Sequence, residues 1–332
     1  MHRCFPGAAA LRSARTISLL ALLGGALALA GCSKEEGSSK ATGAASAAPD
    51  PAGPKPAQPA AAAEKKPASD EVTFKKKAPA VGDKRVSTSN LTMKLTMTLE
   101  GIGPSPKSIS VGKVEAVEKN EEVLAVDKDI ITKLKVTYNS KSDVDNKDGK
   151  EKTKSYPVVG KTYVLESKDG KIAVLTEKGT PAPAAEASIV QKDYKQFGKK
   201  DDFQSAMPER PLKVGEKVDE LTTALKEKMF AGEDEKRTPE VQDAEIRLAS
   251  VREVEGKKVG VFDVTLKVKM QEEPLGMLME LKGQIEVGVD DAWARDMKLE
   301  GPITASIDKK PNDKMNLSGS GTMAMSMGSK YL

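Results

Sequence analysis

From residue 91 the side chains alternate with period two. Leu91, Met93, Leu95, Met97 and Leu99 fall on one face, and Thr92, Lys94, Thr96 and Thr98 on the other. That spacing predicts a half-buried strand, which Gly101-Ile102-Gly103-Pro104 ends. Ile109 and Val111 start a second strand, and Leu134, Val136 and Tyr138 mark another. Val114 to Asp129 fits neither period cleanly and is compatible with a helical turn. Lys161–Glu166 and Lys171–Thr176 read as a hairpin about Asp169-Gly170. Val190, Tyr194 and Phe197 then recur at helical spacing, so 185–197 reads as a helix. Asp219 stands where it can cap a second helix with Leu221, Leu225 and Met229 on one face.

The last hundred residues alternate most clearly. Ile246 and Leu248 begin a strand that Glu255-Gly256 turns. Phe262 to Met270, Met279 to Val289, Met297 to Ile307 and Met315 to Met327 follow as four more, joined by short polar turns. Five such strands predict an antiparallel meander with one apolar face. Gly283, Gly301, Gly319 and Gly321 interrupt long strands and point to strong curvature. The fold class expected is therefore mainly β with a few helices (α+β), a curved antiparallel sheet or half-barrel packed on two short helices. It occupies 85–332, with a division into two lobes, 85–180 and 210–332, left open.

The N-terminal third has a different composition. Arg3, Arg12 and Arg15 precede an apolar run, Ile17 to Ala30, that ends in Leu29-Ala30-Gly31-Cys32. A basic start, a short apolar core and small residues before the cut predict a signal peptide over 1–31. The run holds about 14 residues, where a bilayer span needs about 20. Residues 32–84 are rich in Ala, Pro, Lys, Ser and Gly, and read as a disordered tether. Lys65-Lys66 and Lys75-Lys76-Lys77 read as solvated charge along it.

Leu29-Ala30-Gly31-Cys32 resembles the lipobox of bacterial lipoproteins. The resemblance implies cleavage between Gly31 and Cys32, acylation of Cys32, and a membrane partner reached through that anchor. Ser33 after the cysteine leans toward the outer membrane, whether on its periplasmic or outer side. The β pattern is similar to that of curved half-barrel lipoproteins and carriers of bacterial envelopes. Gly160-Lys161-Thr162-Tyr163 and Pro211 to Gly215 resemble segments of uncharacterised lipoproteins, although Val218 stands where those place a tryptophan.

Processing there would reshape the chemistry. It removes His2, the single histidine, and Cys4, leaving Cys32 as the one cysteine. The mature chain then holds no Ser-His-Asp triad, no cysteine nucleophile, no internal disulfide and no histidine-ligated zinc. Cleavage also takes three of the 53 basic residues and none of the 49 acids, leaving the chain close to neutral. With aromatics at 4%, that argues against nucleic acid as a partner.

Catalytic and metal motifs fail on register. Asp143 to Gly149 suggests a calcium loop, but position five is Lys147 and position twelve Lys154, so a polar turn fits better. Pro106 stands where a dinucleotide fingerprint needs its third glycine. Ser306-Ile307-Asp308-Lys309 matches the serine–lysine pattern of penicillin-binding enzymes, but no Lys-Thr-Gly accompanies it. No cofactor, metal site or catalytic residue is expected, and the chain is read as no enzyme. Trp293 reads as an anchor at a turn.

The methionines suggest a binding role. Met is flexible and polarizable and suits surfaces that repack. Met279, Met323, Met325 and Met327, beside Met277, are the expected lining for a lipid or other apolar ligand. The expected function is thus a lipid-anchored envelope protein, non-enzymatic, that binds a lipid or hydrophobic ligand or an envelope protein. The alternative is a structural or interaction lipoprotein with a filled core and no small ligand.

Overall fold

The computed structural model describes residues 71–101, 105–226, 239–272, 275–307 and 316–332. The stretch expected as signal peptide, Cys32, the expected tether up to residue 70, Met229 and Met315 lie outside the described residues. The described residues belong to one compact unit.

The alternating stretches become long strands. In chain order they are β1 (Glu71–Val72), β2 (Lys84–Glu100), β3 (Lys107–Asp127), β4 (Ile130–Lys147), β5 (Lys150–Ser155), β6 (Thr162–Lys168) and β7 (Lys171–Thr176). Three short helices follow, α1 (Ala184–Asp193), α2 (Asp202–Ala206) and α3 (Asp219–Ala224), with β8 (Leu212–Lys213) before α3. The C-terminal meander is β9 (Glu240–Val254), β10 (Lys257–Glu272), β11 (Leu275–Gly288), β12 (Ala294–Ile307) and β13 (Asn316–Tyr331).

Eleven strands form one antiparallel sheet in the order β7-β6-β4-β3-β2-β13-β12-β11-β10-β9, with β5 also paired to β4. The last strand of the meander, β13, joins the N-terminal strands by pairing with β2, from Arg85–Tyr331 to Glu100–Asn316. A single sheet therefore unites the stretches 85–180 and 210–332. It is curved and not closed into a barrel. Its outward face carries Lys94 and Thr96, both exposed, while Leu91, Met93, Leu95 and Met97 are buried on the inward face.

Glycine permits the curvature. A Cβ on Gly283 would stand 1.8 Å from the Lys298 carbonyl oxygen, and one on Gly301 would stand 1.9 Å from that of Glu280. No side chain fits there, so neighbouring strands close up and the sheet turns. The hairpin between β6 and β7 turns through Asp169 and Gly170 with φ of 51° and 73°, the mirror-image turn that matches strand twist.

The helices stand at the edges of the sheet: α1 packs on β7 and α3 on β9. Val190 of α1 packs into an apolar cluster that includes Val136, Tyr138 and Leu165. The segment 213–218 runs along β9, where the Gly215 and Val218 amides donate to the Leu248 and Ile246 carbonyls. Those bonds cover an edge that would otherwise offer itself to another chain.

Several expectations change. Val114 to Asp127 is strand rather than helical turn, with the turn at Lys128-Asp129, because its two faces are both largely polar and hide the period. The residues expected as a polar turn, Asp143 to Lys147, belong to β4, and the turn itself is Asp148-Gly149. The first helix ends at Asp193 rather than 197. Asp219 is the first helical residue, with Val218 at the cap position. A third helix, α2, is capped by Asp201, whose carboxylate accepts from the Gln204 amide at 3.0 Å.

The tether also ends earlier than residue 84. Phe74 is 2% exposed and packs on Phe262, ring centroids 5.4 Å apart. The Lys75 amide donates to the Val289 carbonyl at 2.8 Å. One large apolar residue in a polar segment is enough to fix it once a matching slot exists, here opened by Gly260.

Candidate ligand-binding face

The inward face of the sheet is built strand by strand from alternate residues. On β10 they are Phe262, Val264, Leu266 and Val268. On β11 they are Met277, Met279, Leu281 and Ile285, and on β12 Met297, Leu299, Ile303 and Ala305. All of these are buried. With Leu91 to Met97 of β2 and Met323 of β13 they make an apolar surface spanning five neighbouring strands.

The expected methionines share this face but do not gather in one row. Met279 lies opposite Val268 and Ile303. Met323 lies opposite Gly301 and Met93, Met325 opposite Leu299 and Leu91, and Met327 opposite Met297 and Ser89. Strand β12 thus separates Met279 from the other three. Met279 and Met323 are buried, whereas Met325 and Met327 are half-buried.

One strand further on, the lining changes to charge. Leu91 and Met93 face Glu115 and Lys113 of β3, which in turn face Asp143 and Asp145 of β4. Lys113, Glu115, Lys119, Glu121, Lys141 and Asp143 are all buried. Such groups need partners in a low-dielectric setting. Lys113 Nζ is 2.6 Å from a Glu115 carboxylate oxygen. Lys141, whose side chain is wholly buried, is 2.7 Å from Asp193 at the end of α1. Arg85 pairs with Glu121.

Tyrosine completes the network. Tyr138 donates to Asp193 at 3.0 Å and Tyr163 to Glu186 at 2.6 Å, while Tyr156 donates to Asp143 and Tyr194 to Glu121. Four of the five tyrosines in the chain therefore place their hydroxyls on carboxylates. Lys119 Nζ lies 4.3 Å from the centre of the Tyr194 ring, and Lys141 Nζ 5.1 Å from that of Tyr156.

The electrostatics follow. Burial alone would push the Glu121 carboxyl up, but the Arg85 guanidinium, then Lys119, hold it down at about 2. Burial, then the charge of Glu121, raises the Tyr194 hydroxyl well above its usual range. Burial raises Asp201 against the opposing bond from the Gln204 amide. Hydrogen bonds from Lys161 and then Tyr163 lower Glu186.

The polar band is the part that alternation alone misses. On β3 the inward positions are Val111, Lys113, Glu115, Val117, Lys119, Glu121 and Val123, so period two is present but its members are not all apolar. On β4 a bulge at Asn139, where the partners step from Ser140 to Tyr138, shifts the inward set from Leu134, Val136 and Tyr138 to Lys141, Asp143 and Asp145. A signal exists in hindsight: lysines and acids spaced by two, bounded by valines.

Among the described residues no group of three or more acids, cysteines or histidines is placed to hold a metal. No described helix is long and apolar enough to cross a membrane. Trp293 stacks on Tyr331, ring centroids 4.5 Å apart, with Lys77 5.4 Å from its ring centre.

No family model matches the chain. No curated protein matches it either. Among solved structures, it is similar to a structure described as lipid–protein interactions in lipovitellin, at 9% identity and a TM-score of 0.35. That likeness covers 76% of this chain and 26% of the other, so the chain spans about a quarter of that neighbour's length. A DUF1329 family protein from Desulfovibrio piger is similar at 8% identity and a TM-score of 0.12, over 70% of this chain and 83% of that one. At these scores, function is left to the residues.

Proposed function

We propose that this chain is a lipid-anchored envelope protein, held at the outer membrane through Cys32, that binds a lipid on the inward face of its sheet and catalyses no reaction. The observation that carries this reading is the division of one continuous face into an apolar field and a charged band. An amphiphile has the same division. The apolar field runs over β2 and β10–β13, and of the described helices α1 packs on β7 and α3 on β9. The lipobox-like Leu29-Ala30-Gly31-Cys32 supports the anchor, and removal of His2 and Cys4 argues against histidine- or cysteine-based catalysis.

A second reading, an interaction protein with a filled core, is favoured by the near-complete burial of Met93, Leu95 and Ile303 at 1%, 2% and 1% exposed. One experiment separates the two. The full chain and its Cys32→Ser variant are expressed, fractionated and extracted with organic solvent for mass spectrometry. The variant is expected in the soluble fraction, since the acyl chains hold the protein to the membrane. Both forms are expected to release a stoichiometric lipid that is not covalently bound. A clean extract from both, repeated after incubation with envelope lipids, would refute lipid binding and leave the filled core.

A further inference from the structure

Where the β4–β5 hairpin meets the apolar field, the inward face carries a row of lysines. Lys147 of β4 lies directly opposite Lys150 of β5, and Lys152 and Lys154 lie opposite Asp145 and Asp143. Lys150, Lys152 and Lys154 are exposed, and Lys147 is half-buried. Like charges directly across a strand pair are destabilising. Among the described residues neither Lys147 nor Lys150 nor Lys152 makes an ion pair, although the neighbouring Lys113 and Lys141 do. Lys154 stands 4.8 Å from the centre of the Tyr156 ring. The inward face of this hairpin therefore carries four lysines against Asp143 and Asp145, an excess of positive charge at its open edge.

The register shows what lies beside the excess. Following cross-strand partners inward from Lys150, the row reads Lys147, Val111, Leu95, Gly321, Ile303, Met279 and Val268. Beyond the two lysines this row has no charged member. The neighbouring rows differ: the one through Met93 meets Lys113 and Asp145, and the one through Leu91 meets Glu115 and Asp143. Strands stand about 4.8 Å apart, so Val111 to Ile303 spans roughly 14 Å in three steps. One acyl chain occupies half of a hydrocarbon core of about 30 Å, or roughly 15 Å.

We infer that Lys147 and Lys150, with Lys152 beside them, hold the phosphate of an anionic phospholipid. Its acyl chain follows the uncharged row that Val111 begins, toward Met279, entering between side chains that are buried without it. The assignment rests on the lipid reading above and names its lipid class. It also separates the expected methionines, since Met279 ends this row and Met325 and Met327 lie on others.

The test uses the full chain in a zwitterionic detergent, titrated with phosphatidylglycerol or phosphatidylcholine of identical acyl chains and read by native mass spectrometry. Phosphatidylglycerol is expected to bind about tenfold more tightly. The Lys147→Gln/Lys150→Gln variant is expected to lose that preference, binding the two lipids alike, with a melting temperature equal to the parent's or slightly higher, because both lysines reach solvent and repel one another. Equal capture of both lipids by the unmodified chain would overturn the headgroup site and leave the acyl reading standing. Capture of neither would overturn the acyl reading too. Displacement of phosphatidylglycerol by an equal concentration of inorganic phosphate would overturn the lipid source in favour of a free anion.

Discussion

Replacing Arg85 by methionine should destabilise the fold by about 3 kcal/mol, and replacing Glu121 as well should restore most of the loss. The two residues are direct cross-strand partners, and their side chains are 24% and 3% exposed. The native carboxyl sits at about 2, against an ordinary 4.5. That depression of about 2.5 units, at about 1.4 kcal/mol per unit, is worth about 3 kcal/mol at neutral pH. Its sign is that of a lowered acid. The contribution is complete above the unfolded carboxyl's range near 4.5 and is lost as pH falls through that range toward 2. Arg85→Met removes the partner and strands a buried carboxylate, at a cost of about 3 kcal/mol. Arg85→Met/Glu121→Leu removes both charges and should lie within about 1–2 kcal/mol of the parent, the remainder being the Tyr194 hydroxyl left without its acceptor. The assay is urea unfolding at pH 7 and pH 3, followed by far-UV circular dichroism and by fluorescence of Trp293, the single tryptophan. The parent should weaken between the two pH values, and the double variant should lose that part of the dependence. A single variant costing under about 1 kcal/mol, or a double variant no better than the single, would refute the reasoning.

Two further outcomes follow from packing. Phe74→Ala should cost about 3–5 kcal/mol and lower the melting temperature, because it empties a slot against Phe262 and Gly260; a change under about 1 kcal/mol would return the segment before residue 84 to the tether. Gly301→Ala should cost about 2 kcal/mol or more, since its Cβ would meet the Glu280 carbonyl oxygen at 1.9 Å and backbone cannot give way cheaply; an unchanged melting temperature would mean that the strands need not close up there.

The strands of the meander were legible because one face is apolar and the other polar, so period two stands out from Phe262 to Met327. The hairpin at Asp169-Gly170 was legible from turn chemistry alone. Strand β3 was not, since Lys113, Glu115, Lys119 and Glu121 occupy inward positions that the rule reserves for apolar residues. The lysine pair at 147 and 150 was hidden for another reason: which residues stand opposite one another depends on the β4–β5 register, and on the bulge at Asn139 for the face they share. The start of the ordered region was hidden because Phe74 has no apolar neighbours in sequence, and its partners are nearly 190 residues away. The methionines were placed on the correct face but not in rows, because alternation gives a face and only pairing gives a row.

The buried charges are hard to explain by stability. A buried ion pair is weak support for a fold, and an apolar pair of similar volume does as well or better. Yet Lys113–Glu115 within β3, Arg85–Glu121 between β2 and β3, and Lys141–Asp193 between β4 and α1 lie on the face where neighbouring positions carry leucine and methionine. If a filled core were the whole purpose, valine at these positions would serve it with less desolvation. A face that meets an amphiphile has a different requirement. It must end its apolar field at a defined line, and it must hold charge near that line without collapsing onto it. Pairing the inner charges to tyrosines and acids meets the second condition, and leaving Lys147 and Lys150 without ion pairs meets the first. On the proposed reading, the same requirement accounts for the band lying inside the sheet, beside the apolar field, rather than on its outward face.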